Sequence, residues 1–240
     1  MLAVTPRVRI LVVDIGGSHV KCLATGADAP RSFDSSPALT PAEMVQRVTC
    51  IARGWSYDAV SLGFPGAVAA DGPTAEPGNL GCGWVGFDYE RAFAAPVRIV
   101  NDAAMQALGA YDGGRMLFLG LGTGVGSTLV TERVIVPLEL GCLPAADGGR
   151  LVDRLGRDAL ERDGREVWMR AVADAVGVLR EAFVADYIVL GGGNASRVEP
   201  LPPTTRRGGN EDAFAGGFRL WEDVVEPHDR PPTPAWRVVR

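Results

Sequence analysis

The sequence predicts an α/β protein built from two related halves. Two observations carry this: a strand, a glycine turn and a second strand occur once near the start, as RILVVD, the turn after Asp14, and Val20 to Thr25. They occur again as MLFLGL, GTGVG and STLV. The second copy starts about 105 residues after the first, and the likeness is one of pattern rather than identity, so it marks duplicated half-folds rather than a short-period repeat. A third glycine turn closes the strand YIVLGGG. The halves are placed at 1–101 and 102–240.

Taken in order, Arg9 to Asp14 is an apolar run that reads as a buried strand, and Val20 to Thr25 pairs with it as a hairpin. Thr40-Pro-Ala-Glu is a helix start, with Thr40 as cap, Pro41 first and Glu43 third. Ala59 to Gly63 is a strand, Phe64 to Phe87 a long Gly- and Pro-rich loop, and Val97 to Val100 another strand. A loop of that length is functional or disordered, and Trp84 and Phe87 argue against disorder. After Asn101-Asp102 a helix spans AAMQALGAY. The stretch from Gly148 to Asp186 is mostly helical, with Gly156 and Gly164 as breaks. Beyond Asn194 the chain reads as loop until a helix opens at Asn210, and the last, proline-rich residues read as loose.

Composition narrows the function. A net charge of −5 and 47% hydrophobic residues describe a globular chain without a basic face, so nucleic acid and anionic membrane are not expected partners and small molecules are. Cys22, Cys50, Cys82 and Cys142 stand singly, which predicts reduced thiols, a cytoplasmic location and no structural zinc. The opening residues MLAVTPRVRILVV carry too short an apolar run for a signal peptide, and no membrane-length apolar window follows. Of 24 basic residues only Lys21 is a lysine.

The chemistry-bearing stretches each have two readings. DIGGS is either a hairpin turn or an anion cradle, in which glycine lets the backbone N–H groups approach a phosphate. Asp14 would then need a divalent cation between itself and the phosphate, which points to Mg²⁺ held largely through water. GLGTGVG, Gly120 to Gly126, is likewise a hairpin or a second cradle, with the Thr123 hydroxyl as an added donor. Asp102 is a helix cap, or faces a ligand hydroxyl as a general base if a phosphate donor lies opposite. Glu139 is an exposed edge residue or a polyol acceptor. Asn79 and Trp84 are a turn residue and a core aromatic, or the polar and apolar parts of a sugar-facing loop. Lys21 either reaches the site or leaves the sheet for solvent.

In order, LVVDIGGSHVK, GFPGAV, the Asn79 to Trp84 loop, VNDAAMQALG, LGLGTGVGSTLV, LELG and IVLGGG resemble the ROK family of sugar kinases, above all its polyphosphate/ATP glucokinase branch. The resemblance covers Arg9 to Gly193. It implies the actin-like ATPase (ribonuclease H-like) fold, with two α/β halves, each on a mixed five-stranded sheet, around a cleft. By the same resemblance Asp14, Gly16, Gly17, Ser18 and Lys21 match the first phosphate motif. Gly122, Thr123 and Gly124 fall in the second, and Gly191, Gly192 and Gly193 are the nucleotide-side glycines. Asp102 matches the catalytic base, and Asn79, Asn101 and Glu139 fall on the sugar side.

The chain departs from the family at Glu139-Leu140-Gly141-Cys142, where many members carry histidine in place of Cys142, and at Leu143-Pro144-Ala145-Ala146, which lacks a second glutamate. The family's cysteine-rich zinc loop has no counterpart. The expected activity is phosphoryl transfer from ATP or polyphosphate to a sugar, with Mg²⁺ and in a homodimer. Beside it stand a silent sugar- or nucleotide-binding protein and a kinase for a non-glucose alcohol. A DNA-binding repressor is not expected, because the first strand begins by about residue 9.

Overall fold

The computed structural model describes residues 8–145, 148–209, 211–224 and 233–239. The expected helix start at Asn210, Ala146 of the departing segment, the first seven residues and most of the proline-rich tail lie outside the described residues. The chain divides into two compact units, Met1–Asp102 with Gly217–Ala235, and Ala103–Gly216 with Trp236–Arg240.

The first unit holds a five-stranded sheet. Strands β1 (Ile10–Ile15) and β2 (His19–Ala24) form the expected hairpin, and β3 (Arg31–Asp34), missed in the sequence, continues it. Strands β4 (Ala59–Phe64) and β7 (Val97–Asn101) add in parallel on the other side, giving the order β3-β2-β1-β4-β7. Every residue of β4 is buried, as expected of a parallel strand covered on both faces. Helix α1 (Pro41–Ile51) starts as the sequence predicts: the Glu43 amide donates to the Thr40 hydroxyl and Pro41 opens the first turn. Its Met44, Val45 and Val48 enter a core with Leu11, Val13, Leu62 and Trp84.

The loop from Phe64 to Phe87 is not structureless. It carries a small hairpin, β5 (Val68–Ala69) with β6 (Gly72–Pro73), and is followed by a short helix α2 (Tyr89–Phe93) that the sequence reading did not place.

The second unit repeats the plan. Strands β8 (Met116–Leu121), β9 (Val125–Thr131) and β10 (Val134–Leu138) form an antiparallel meander, and β11 (Tyr187–Gly191) and β12 (Thr205–Arg207) add in parallel beside β8. The duplicated halves are thus visible as one strand order, met twice. The expected five strands become six here, because β15 (Arg237–Val238) pairs with the open edge of β10. That pairing, and β14 (Thr233–Pro234) on β13 (Asp223–Val224), correct the expectation of a loose end for the described residues 233–239. The stretch after Asn194 is likewise not all loop, since it supplies β12.

Helices α4 (Val152–Leu155), α5 (Arg157–Asp163) and α6 (Arg165–Ala182) are separated by Gly156 and Gly164, the two predicted breaks. They cover the second sheet through Leu155, Trp168, Val172, Val176 and Leu179. The Trp168 indole, fully buried, spends its N–H on the Leu155 carbonyl at 2.9 Å. Helix α3 (Asp102–Ala110) and the start of α7 (Asp212–Arg219) touch backbone to backbone: a Cβ on Gly109 would strike the Asp212 carbonyl, and one on Gly216 the Met105 carbonyl. The glycine pair in Ala-Phe-Ala-Gly-Gly therefore packs closely on a neighbour, as its spacing suggests. No helix among the described residues is long and apolar enough to cross a membrane.

Candidate active site

In the first unit the parallel register brings the predicted residues to one sheet edge. Asp14 pairs with Gly63, Gly63 with Val100, and Phe64 with Asn101, so the C-terminal ends of β1, β4 and β7 lie side by side. Asp14 and the Asn101-Asp102 pair therefore sit on the same edge, two strand spacings or about 10 Å apart. Ligands in open α/β sheets occupy this edge because loops and helix starts converge there.

The turn between β1 and β2 is held from below. The Gly16 amide donates to the His19 carbonyl at 3.0 Å, the Ser35 hydroxyl donates to the Gly16 carbonyl at 2.8 Å, and the Ser35 amide donates to the Ser18 carbonyl at 2.9 Å. The Gly16, Ser18 and His19 carbonyls are thus occupied, while the exposed Gly17 and Ser18 amides donate to no acceptor among the described residues. A turn that presents unspent N–H groups suits an anion.

Asn79 is exposed and lies against this turn: a Cβ on Gly17 would run into its amide nitrogen. Its loop is pinned by Glu76, which the sequence reading did not single out. The Glu76 carboxylate accepts the Trp84 amide at 3.0 Å and the Val85 amide at 3.3 Å, and these bonds hold it below the usual carboxylate range. Trp84 is fully buried, packs on Phe64 and donates its indole N–H to the Gly81 carbonyl at 2.8 Å, so it is the core aromatic of its two readings. Asn101 donates to the Gly66 carbonyl at 3.0 Å and ties the strand end to the Phe64–Gly66 turn.

Lys21 stays with the sheet edge. It is the registered partner of Asp14 across the hairpin and is half-buried. Burial pushes the Asp14 carboxyl up to about 6, and the Lys21 charge works against that rise. A single carboxylate beside open amides fits a Mg²⁺ that substrate phosphates would mainly hold. Among the described residues no group of three His, Cys, Asp or Glu side chains forms a direct cation cage.

In the second unit the two remaining glycine turns are neighbours, because Gly120 pairs with Gly191 in adjacent parallel strands. Gly122 donates to the Gly124 carbonyl at 3.1 Å and its own carbonyl accepts the Arg157 amide at 2.9 Å. The amides of Thr123 and Gly124 have no acceptor among the described residues, as in the first turn. A Cβ at Gly122, Gly124 or Gly193 would meet nothing, so these faces are open. Gly192 is different: its φ of +78° and a Cβ contact of 2.7 Å with the Leu121 carbonyl require glycine.

Glu139 follows β10, whose end pairs through Ser127 to Leu119 beside the second turn. It is exposed, and Ser127 fixes the bend that presents it by donating to the Leu138 carbonyl at 2.8 Å and accepting the Leu140 amide at 3.0 Å. Cys142 ends the short 3₁₀ turn after Glu139 and is exposed.

No family model matches the chain. It is 25% identical over 222 residues to a polyphosphate glucokinase of Mycobacterium leprae (strain TN), covering 83% of this chain and 68% of that one. The inorganic polyphosphate/ATP-glucomannokinase of Arthrobacter sp. strain KM superposes with a TM-score of 0.75 at 23% identity, over 88% of this chain and 97% of that one. A ROK family glucokinase of Streptomyces griseus, solved with glucose and AMPPNP, gives 0.67 at 14% identity, over 88% and 98%. The chain is thus similar in sequence to polyphosphate glucokinases, and its fold is the actin-like ATPase fold of the ROK family sugar kinases.

Proposed function

We propose that this chain is a sugar kinase that moves the terminal phosphoryl group of ATP or polyphosphate to a sugar hydroxyl. The observation that carries the reading is the shared edge of the first sheet, where Asp102 and the glycine turn behind Asp14 stand two strands apart. Asp102 opens α3, accepts the proton of the attacking hydroxyl and leaves its oxygen free to bond phosphorus as the bond to the leaving phosphate breaks. In the first unit the amides of Gly17 and Ser18 bind phosphate oxygens; in the second those of Thr123 and Gly124 do so, and Gly191 to Gly193 serve the donor beside them. Lys21 supplies a compact positive charge at the first turn. Asn79 and Asn101 are the sugar contacts of the first unit, and Glu139 is that of the second. Asp14 would hold Mg²⁺, which would supply positive charge to offset that of the transferring group.

The reaction needs position and charge more than covalent chemistry, which these open amides and the tethered loops provide. The test is a panel of sugars and polyols offered with ATP and with polyphosphate, read as phosphorylated product. Turnover with at least one pair is expected. Tight ligand binding with no turnover for any pair would favour the silent binder instead. We place the enzyme in the cytoplasm as a homodimer, and light scattering reads the latter directly.

A further inference from the structure

We propose that the second unit carries a binding site for the distal phosphates of a linear polyphosphate, in the arginine-lined pocket beside the second glycine turn. This rests on the kinase reading for its purpose but not for its chemistry. The pocket, of about 350 Å³, is lined by Arg157, Leu160, Glu161, Arg165, Asn194 and Arg197. Three guanidinium groups face one carboxylate. Among the described residues none of the three arginines forms an ion pair, whereas Arg9, Arg150, Arg162 and Arg207 elsewhere in the chain each meet a carboxylate. Positive charge left unmatched in a chain of net charge −5 marks a place for an anion.

The wall of the pocket has a second unspent donor. The Asn194 side-chain nitrogen is buried and has no acceptor among the described residues, a state that costs free energy unless a ligand supplies one. Arg165 donates to the Arg197 carbonyl at 2.9 Å, which fixes the two arms against each other. The pocket is also bonded to the phosphate turn: the Arg157 amide donates to Gly122 and the Asn194 amide to Leu121, both at 2.9 Å. A phosphate chain begun on the open Thr123 and Gly124 amides would continue onto guanidinium groups.

The lining chooses between donors. A purine base seeks an apolar or aromatic slot, and here Leu160 is the one apolar side chain and no aromatic ring takes part. A row of phosphates seeks forked, permanently charged donors, which arginine supplies.

The experiment measures binding by calorimetry on the full chain, with linear polyphosphate and separately with a non-hydrolysable ATP analogue. The Arg165→Gln/Arg197→Gln double variant is expected to raise the polyphosphate Kd by about tenfold or more and to change the analogue's Kd less than about twofold. Arg180→Gln, on the same helix but outside the pocket, should leave both unchanged. Equal weakening for both ligands, an unchanged polyphosphate Kd, or no polyphosphate binding by the parent chain would overturn the site. If the double variant fails to fold, Arg197→Gln alone reads the same comparison. Because no turnover is measured, absence of kinase activity would sink the proposed function without touching this result.

Discussion

Asp14 and Lys21 face one another across the β1–β2 hairpin, as the registered pair one step behind the outermost pair of the ladder, next to the first glycine turn. One is a carboxylate pushed up by burial to about 6, and the other is the cation that opposes the push. The folded chain therefore holds a proton on Asp14 over a range where the unfolded chain, at 3.8, has released it. The contribution of Asp14 to stability is full below about pH 4, falls as pH rises through 6 and is level above that.

Asp14→Asn removes the charge and should make the metal-free protein more stable than the parent above pH 6.5, by up to about 3 kcal/mol, with little difference near pH 4. Lys21→Met should deepen the parent's loss over the same range. Urea denaturation between pH 4 and 8 measures both. Parallel curves for parent and Asp14→Asn would contradict the account of this pair.

Gly17 and Asn79 are coupled by contact. Gly17→Ala forces its Cβ into the Asn79 amide, so kcat/KM should fall by about tenfold or more although φ at Gly17 tolerates any residue. Asn79→Ala on the same background should recover part of that loss. The two changes then deviate from additivity by about 1 kcal/mol, and strict additivity in the double-mutant cycle would refute the contact.

Glu76→Gln leaves the loop with weaker acceptors for the Trp84 and Val85 amides. The expected outcome is a higher sugar KM with a smaller change in kcat, together with a red shift of tryptophan emission. An unmoved KM would detach this loop from the sugar.

Gly109→Ala has no side chain to push aside, because its Cβ meets the Asp212 backbone. It should cost about 3 kcal/mol, read as a fall in Tm of about 6–12 °C. A Tm within about 1 °C of the parent would show that α3 and α7 do not pack as described.

Local signals were legible in the sequence. Thr40 and Pro41 start α1, Gly156 and Gly164 break the helices, and the two glycine turns mark the related halves, because each feature is dictated by its own few residues. What depends on distant pairing was not. Strands β12 and β15 are two or three residues long and exist only through β11 and β10, so no period announces them. The same holds for the site. Asp14, Gly17 and Asp102 stand out in their motifs, but Glu76 reads as an ordinary loop acid until Trp84 is seen against it. Arg157, Arg165 and Arg197 are spread over three elements in a chain rich in arginine, and their convergence follows from how α5, α6 and the turn after Asn194 pack.

In the proposed reaction Asp102 takes the proton of a sugar hydroxyl during phosphoryl transfer. Asp102→Asn keeps the shape of the side chain and removes the base, so the direct measurement is kcat for the parent's best donor and sugar, alongside the variant's Tm. A fall in kcat of about 10²–10⁴-fold is expected, with the Tm nearly unchanged. A variant that retains the parent's kcat would contradict it.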